Sequence, residues 1–427
     1  MKRAIVLSGG GGKGAYQIGV WKALRRLHIG YQIVTGTSVG ALNGVYMVQR
    51  DYHKALFLWN HMNFGKIYDQ DIKEDLDTVE GKKEVAKMYA KGIVLEGGMN
   101  VDNLDHLISE TLNEYKFRKS SIDYGLVTFN LSKLKAESIT KKEIPYGQVK
   151  DYMMASATCY PVFKKKEIES ATFIDGGIYD NLPINLAIDM GADDIIAVDL
   201  KAVGIKQKVK DTHTHITVIA PKNKLNSFLV FDSKASHRAI HLGYNDAMKV
   251  FHKLEGNLFT FKKGSLEDNY MRYQKRFMVL IHMIFHSKQD KTLMDNLLSI
   301  SAFNKIFKKA SIKENQKLFL KTIEHIGTVF EMDETRIYDM RVFNKRALLH
   351  LEKVEIEEEM DIDALISKRN VKNLLNTKNI IKYIYVKMEK ELPKKATAEL
   401  CSLALLLSKD FLAALYLYTI TKKHDII

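Results

Sequence analysis

Apolar residues in the first half of the chain follow two alternating rhythms. Ala4–Leu7 is a short unbroken apolar run, and after a set of glycines Ala15–Leu27 places its apolar residues at helical spacing. The alternation continues with strand-like Tyr31–Thr35, helical Val39–Val48, and helical patterns over Asp51–Met62 and Val101–Asn113. Tyr124–Leu131, Ala171–Ile174 and Ile195–Leu200 are again short apolar runs. Strands that alternate with helices predict an α/β fold: a mostly parallel central sheet with helices on both faces. The near-continuous apolar character of the strands agrees, because a sheet covered on both sides buries both faces.

The rhythm changes near Thr260–Ser265. Beyond it glycine nearly disappears, and stretches such as Tyr273–Phe285 and Ala398–Ile420 carry dense apolar residues suited to buried helices. The pattern predicts a first domain over 1–260 and an all-helical second domain over 265–427. A length of 427 residues agrees with two cores. The acidic run Glu355–Asp363 reads as a solvated face or loop.

Charge and cysteine content narrow the setting. The formal net charge is +14, spread as scattered lysine rather than a dense basic arm. Such a surface reads first as simply solvated, then as suited to a membrane, and last to nucleic acid, for which no recognised motif is present. Cys159 and Cys401 lie far apart without a pairing pattern, as in a reduced, cytoplasmic chain. Ala4–Leu7 is too short for the apolar core of a secretion signal. The most apolar stretch, Ala396–Ile420, is interrupted by Glu399, Lys409 and Asp410, so it does not read as a membrane span. No acidic cluster suggests a metal, and no cofactor is implied.

Two glycine-containing bends follow strands. Ser8-Gly9-Gly10-Gly11-Gly12-Lys13-Gly14 closes the first strand and opens a helix, so its backbone N–H groups gather at the positive end of a helix dipole. Gly9, Gly11 and Gly14 match G-x-G-x-x-G, but the region His28–Ile33, where a ribose-binding carboxylate belongs, has none. A G-x4-G-K-[S/T] phosphate loop fails too, since Gly14 follows Lys13. A second candidate anion is the transient oxyanion of an acyl-transfer intermediate, and a plain tight turn is the alternative to both.

Gly36-Thr37-Ser38-Val39-Gly40 matches G-x-S-x-G. A serine nucleophile must project from a sharp strand-to-helix bend, and side chains two residues to either side would collide there. Its base has three candidates. His213, His215, His237 and His241 are late enough for a Ser-His-Asp arrangement. Asp175 follows an apolar strand and precedes Gly176 and Gly177, and Asp199 also ends an apolar strand. In a parallel sheet, either carboxylate would emerge beside Ser38 at the carboxyl edge. Asp180, in a turn-like Asp-Asn-Leu-Pro segment, reads as a backbone cap.

Taken together, GGGGKG at 9–14, GTSVG at 36–40 and DGG at 175–177 resemble the patatin-like phospholipase family, over roughly residues 4 to 255. Ala155–Phe163, Asp180–Pro183 and Gly243–Ala247 fit the same pattern. The resemblance implies a three-layer patatin-like sandwich and a Ser38–Asp175 dyad without histidine. It implies an oxyanion hole from the N–H groups of Gly10, Gly11 and Gly12. Lys13 falls at a basic position, and Gly12 is an additional glycine relative to the family. The implied substrate is a phospholipid or lysophospholipid acyl ester, met at a membrane surface. Lys164-Lys165-Lys166 is a candidate headgroup contact, and Phe277–Phe285 and Leu403–Leu417 are alternatives between membrane docking and core. A conventional esterase and a non-catalytic lipid- or protein-binding module are the other readings. Head group, oligomeric state and the role of residues 265–427 are left open by the sequence.

Overall fold

The computed structural model describes residues 2–63, 78–99, 102–211, 213–286, 312–355, 377–392 and 398–421. Residues 356–363 of the acidic run, and Val101, lie outside them. The chain divides into two compact units, 1–251 and 252–427.

The first unit is built on eight strands: β1 (Arg3–Leu7), β2 (Ile33–Thr37), β3 (Asp123–Asn130), β4 (Lys135–Thr140), β5 (Lys166–Ile168), β6 (Ala171–Asp175), β7 (Asp194–Val198) and β8 (His215–Ile219). Their order is β5-β6-β3-β2-β1-β7-β8, with β4 also paired to β3. From β3 to β8 along this order the pairing is parallel. The helices are α1 (Ala15–Arg26), α2 (Val39–Gln49), α3 (Tyr52–His61), α4 (Val79–Glu96), α5 (Asp102–Thr111), α6 (Glu114–Lys119), α7 (Val149–Ala157), α8 (Ile184–Asp189) and α9 (Ser233–Val250).

The two-residue strand period sorts the core into layers. Ile5, Leu7, Val34, Ile196 and Val198 face α1, α2 and α9 in the larger cluster. Ala4, Val6, Ile33, Ile195 and Ala197 face the opposite way, against Leu182, Ile184 and Ala187. This is the mostly parallel, helix-covered sheet that the alternation predicts. The strands without a clear signal, β4, β5 and β8, are partly exposed. With one side solvated, they lack the unbroken apolar run that marks a central strand.

One crossing fixes α9 on α1. A Cβ on Gly243 would lie 2.0 Å from the Tyr16 carbonyl oxygen, and one on Gly19 would lie 2.0 Å from that of Ile240. Tyr16 hydroxyl donates to buried Asp246 (2.9 Å), which also pairs with Lys249 (2.8 Å).

The second unit comprises β9 (Leu254–Glu255), β10 (Thr260–Lys262), α10 (Ser265–His286), α11 (Ile312–Val329), β11 (Ile337–Tyr338), α12 (Met340–Glu352), α13 (Thr377–Glu391), α14 (Ala398–Leu406) and α15 (Ser408–Thr421). It is mainly helical, with a small three-stranded sheet added. Its centre is α15, buried on all sides from Asp410 to Ile420, as a helix apolar around its whole circumference must be. Phe277, Leu280, Ile281 and Ile284 pack in the same core, whereas Val279, Met283 and Leu406 of the same apolar stretches are exposed. Asn269, Tyr416 and Asn344 close a buried ring of hydrogen bonds, each 2.9 Å. Among the described residues no helix is long and apolar enough to cross a membrane.

Gly243→Ala is expected to force the α1–α9 crossing apart and destabilise the first unit by about 1–3 kcal/mol. In calorimetry its transition should fall by about 3–10 °C. An unchanged transition would mean that the crossing yields freely.

Candidate active site

The site arises from strand register. β2 runs parallel along one edge of β3 and ends with Thr37 opposite Val127. β6 runs antiparallel on the same edge and ends with Asp175 opposite Thr128. The opposite edge is occupied throughout by β4. The carboxyl ends of β2 and β6 therefore meet head-on over adjacent residues of β3. This corrects the expectation of two parallel strands: Asp175 reaches Ser38 because its strand runs the other way.

Ser38 follows β2 and caps α2 in a backbone conformation with φ 57 and ψ −128. That positive φ is strained for a non-glycine residue. A Cβ on Gly36 would lie 2.4 Å from the Gly40 carbonyl carbon, and one on Gly40 would lie 2.3 Å from the Leu7 carbonyl oxygen. The tightness attributed to G-x-S-x-G is thus present. Ser38 N–H donates to the Ser156 hydroxyl (3.0 Å), which donates to the Val127 carbonyl (2.7 Å). Ser156 pins the bend to β3. Thr35 and Thr37 hydroxyls donate to the carbonyls of Pro183 (3.0 Å) and Asp180 (2.8 Å).

Ser38 and Asp175 line the same cavity, and Asp175 Oδ1 accepts from Gly177 N–H at 2.7 Å. Burial raises the Asp175 pKa to about 6, against the lowering effect of the Ser38 hydroxyl and the Gly177 N–H. The nearby Cys159 thiol is pushed up to about 11 by burial and by the Asp175 charge. It stays protonated at neutral pH and is a poor nucleophile there.

The other candidates are placed elsewhere. Asp199 pairs with Lys206 at 2.6 Å. Asp180 caps Leu182 N–H (3.3 Å) and Gln207 N–H (3.4 Å). His215 binds Asp194 (3.0 Å), and the His237 and His241 rings lie tilted against each other with centroids 4.6 Å apart. Among the described residues, neither Asp199 nor any histidine lines the cavity around Ser38 and Asp175.

The glycine loop differs from expectation at one residue. Gly12 N–H donates to the Phe228 carbonyl at 2.7 Å, and Gly9 N–H to that of Asn181 at 3.1 Å. Gly10 and Gly11 line the cavity with N–H groups unpartnered among the described residues, whereas Gly12 and Lys13 do not line it. Burial, then Lys224, lower the Lys13 pKa. From below, Gln17 donates to the Ser8 carbonyl (2.7 Å), and Asn43 joins Gln17, the Gly14 carbonyl and Trp59 in one buried network.

The cavity measures about 620 Å³ and is mostly apolar, with Leu42, Trp59, Met62, Leu104 and Phe231 among its walls. Cys159, Asn181 and Phe228 also line it, and sequence reasoning did not single them out. Cys159 and Asn181 do lie inside segments read as family-like, which was the available signal.

Comparison with known proteins follows the same residues. Residues 5–188 match the family model described as patatin-like phospholipase. The lysophospholipase nte1 of Aspergillus terreus is 29% identical over 204 residues, 47% of this chain and 12% of that protein. Patatin-like phospholipase domain-containing protein 7 of Rattus norvegicus is 26% identical over 199 residues, 46% of this chain and 13% of that protein. The chain thus spans a small fraction of these relatives. Among solved structures, VipD from Legionella pneumophila aligns over 97% of this chain and 91% of its own, at 14% identity and TM-score 0.37. The type III effector ExoU aligns over 94% and 86%, at 14% identity and TM-score 0.30.

Because its pKa is raised on folding, the ionised Asp175 opposes folding above pH about 6. Asp175→Asn should therefore stabilise the fold by about 1–3 kcal/mol at neutral pH and leave it unchanged below pH about 4. Thermal unfolding at the two pH values checks this, and an equal effect at both would refute it.

Proposed function

We propose, from the match of residues 5–188 to the patatin-like phospholipase family model, that the protein is a serine hydrolase cleaving fatty-acyl esters of phospholipids or lysophospholipids. The observation that carries the reading is that Ser38 and the buried Asp175 carboxylate both lie on the wall of one apolar cavity. An apolar chamber suits an acyl chain, and its few polar groups are those that acyl transfer requires. The relatives named lysophospholipases are consistent with that substrate class.

Ser38 Oγ attacks the ester carbonyl while Asp175 takes its proton. The carbonyl oxygen becomes an oxyanion, held by Gly10 and Gly11 N–H and by the amino end of α2; one such donor commonly contributes about 3 kcal/mol. When the intermediate collapses, the ester C–O bond breaks and Asp175 returns the proton to the leaving alcohol. Water then adds to the acyl-serine, losing its proton to Asp175, and the fatty acid departs as Ser38 is re-protonated. A carboxylate with pKa about 6 is a better base than an exposed one and is still mostly ionised at neutral pH.

Ser38→Ala and Asp175→Asn should each lower kcat/KM for a short-chain p-nitrophenyl ester and for a lysophospholipid by about 10³-fold or more. In the unaltered protein, kcat/KM should rise with pH and level off above about 6. Full activity in either variant would reject the dyad. Activity lost in Asp199→Asn but kept in Asp175→Asn would move the base.

A further inference from the structure

The cavity opens through side chains that are apolar and yet face water. Val203 is 95% exposed, Ile205 56%, Ile178 47% and Tyr160 44%, and all four line the cavity. Single exposed aliphatics are ordinary, but a set continuous with an apolar chamber marks a surface that meets something. The loop carrying Val203 and Ile205 cannot fold inward. Ile205 N–H donates to the Gly177 carbonyl (3.0 Å), and Asn181 N–H donates to the Ile205 carbonyl (2.6 Å). Gln207 Nε2 donates to the Tyr179 carbonyl (2.8 Å). These bonds fasten the loop to the turn after Asp175, with its apolar tips displayed.

The loop after Asp199 is rich in lysine. Lys201–Lys210 holds four lysines and no acidic residue. Lys206 and Lys210 are matched by Asp199 and Asp189, and Lys166 by Asp151. Lys208 and Lys164 are exposed and have no side-chain partner among the described residues. Lys165 Nζ sits 4.8 Å from the ring centroid of Tyr160. Apolar tips with unmatched cations around them complement a bilayer with anionic headgroups, where methyl groups enter the interface and ammonium groups stay at headgroup level.

We propose that the Val203–Ile205 loop, with Ile178 and Tyr160, is the docking surface for an anionic phospholipid bilayer, setting the cavity mouth against the lipid from which the substrate leaves. This rests on the acyl-hydrolase reading for the use of the surface, but not for its binding. The test separates the two by measuring binding in Ser38→Ala protein. That protein is floated with phosphatidylcholine vesicles containing about one-third phosphatidylglycerol, and with phosphatidylcholine alone. It should bind the anionic vesicles preferentially. Adding Val203→Ser and Ile205→Ser should weaken that binding about tenfold or more. Adding Lys164→Ser and Lys208→Ser should weaken it about fivefold per lysine. In the catalytically intact chain, the two lysine substitutions should leave turnover of a soluble short-chain ester unchanged while hydrolysis of the anionic vesicles falls. The proposal is overturned if Ser38→Ala protein binds no vesicles, if it binds neutral and anionic vesicles equally, or if the loop substitutions leave binding intact. It is also overturned if the lysine substitutions slow soluble and vesicle substrates alike. Absence of ester turnover with vesicle binding retained would reject the hydrolase reading alone.

Discussion

The active region depends on two strands sharing one edge of a third. β2 and β6 approach from opposite directions and stop at Val127 and Thr128. Neither can extend without displacing the other. Each chain must therefore leave the sheet at that point, and both leave through a bend with glycines beside it. The meeting of Ser38 with Asp175 follows from backbone pairing before any side chain is considered. A register slip of one residue in either strand would turn one of the two side chains to the far face of the sheet.

The juncture stores unfavourable energy in two forms. Ser38 holds a positive φ, which costs about 1–3 kcal/mol, and Asp175 holds a carboxylate out of water. Neither would persist in a compliant setting, and the neighbours are not compliant. The Ser156 hydroxyl bridges the bend to β3, and the hydroxyls of Thr35 and Thr37 fasten β2 to the segment after the DGG turn. Each is a small buried group serving one backbone atom on another element. Such bonds are worth about 1 kcal/mol singly, but together they fix geometry that packing alone leaves loose.

Much of this was legible in the sequence. Continuous apolar runs marked β1, β2, β3, β6 and β7, because strands buried on both faces have no polar face to interrupt them. The bend at Ser38 and the turn at Asp175 were legible because glycine is needed where backbones crowd. What the sequence hid is the direction of β6. The short apolar run Ala171–Ile174 reads identically in either sense, so the head-on geometry needed the short strand β5, whose Lys-Glu-Ile carries no strand signal of its own. The Gly12 bond was hidden for a related reason. Four consecutive glycines look alike as donors, and it is the carbonyls of Asn181 and Phe228 that distinguish Gly9 and Gly12 from the other two.

That passage joins two functions in one segment. Phe228, Leu229 and Phe231 form part of the cavity wall, and the carbonyl of Phe228 holds Gly12 N–H. Tyr89 in turn holds the Leu229 carbonyl at 2.9 Å. A ligand pressing on the aromatic wall therefore pushes on the strap that positions the glycine donors. Since Gly12 is engaged and Gly10 and Gly11 are not, the strap acts as a tether one residue beyond the donor pair. It fixes where the loop ends and leaves the donors facing the chamber.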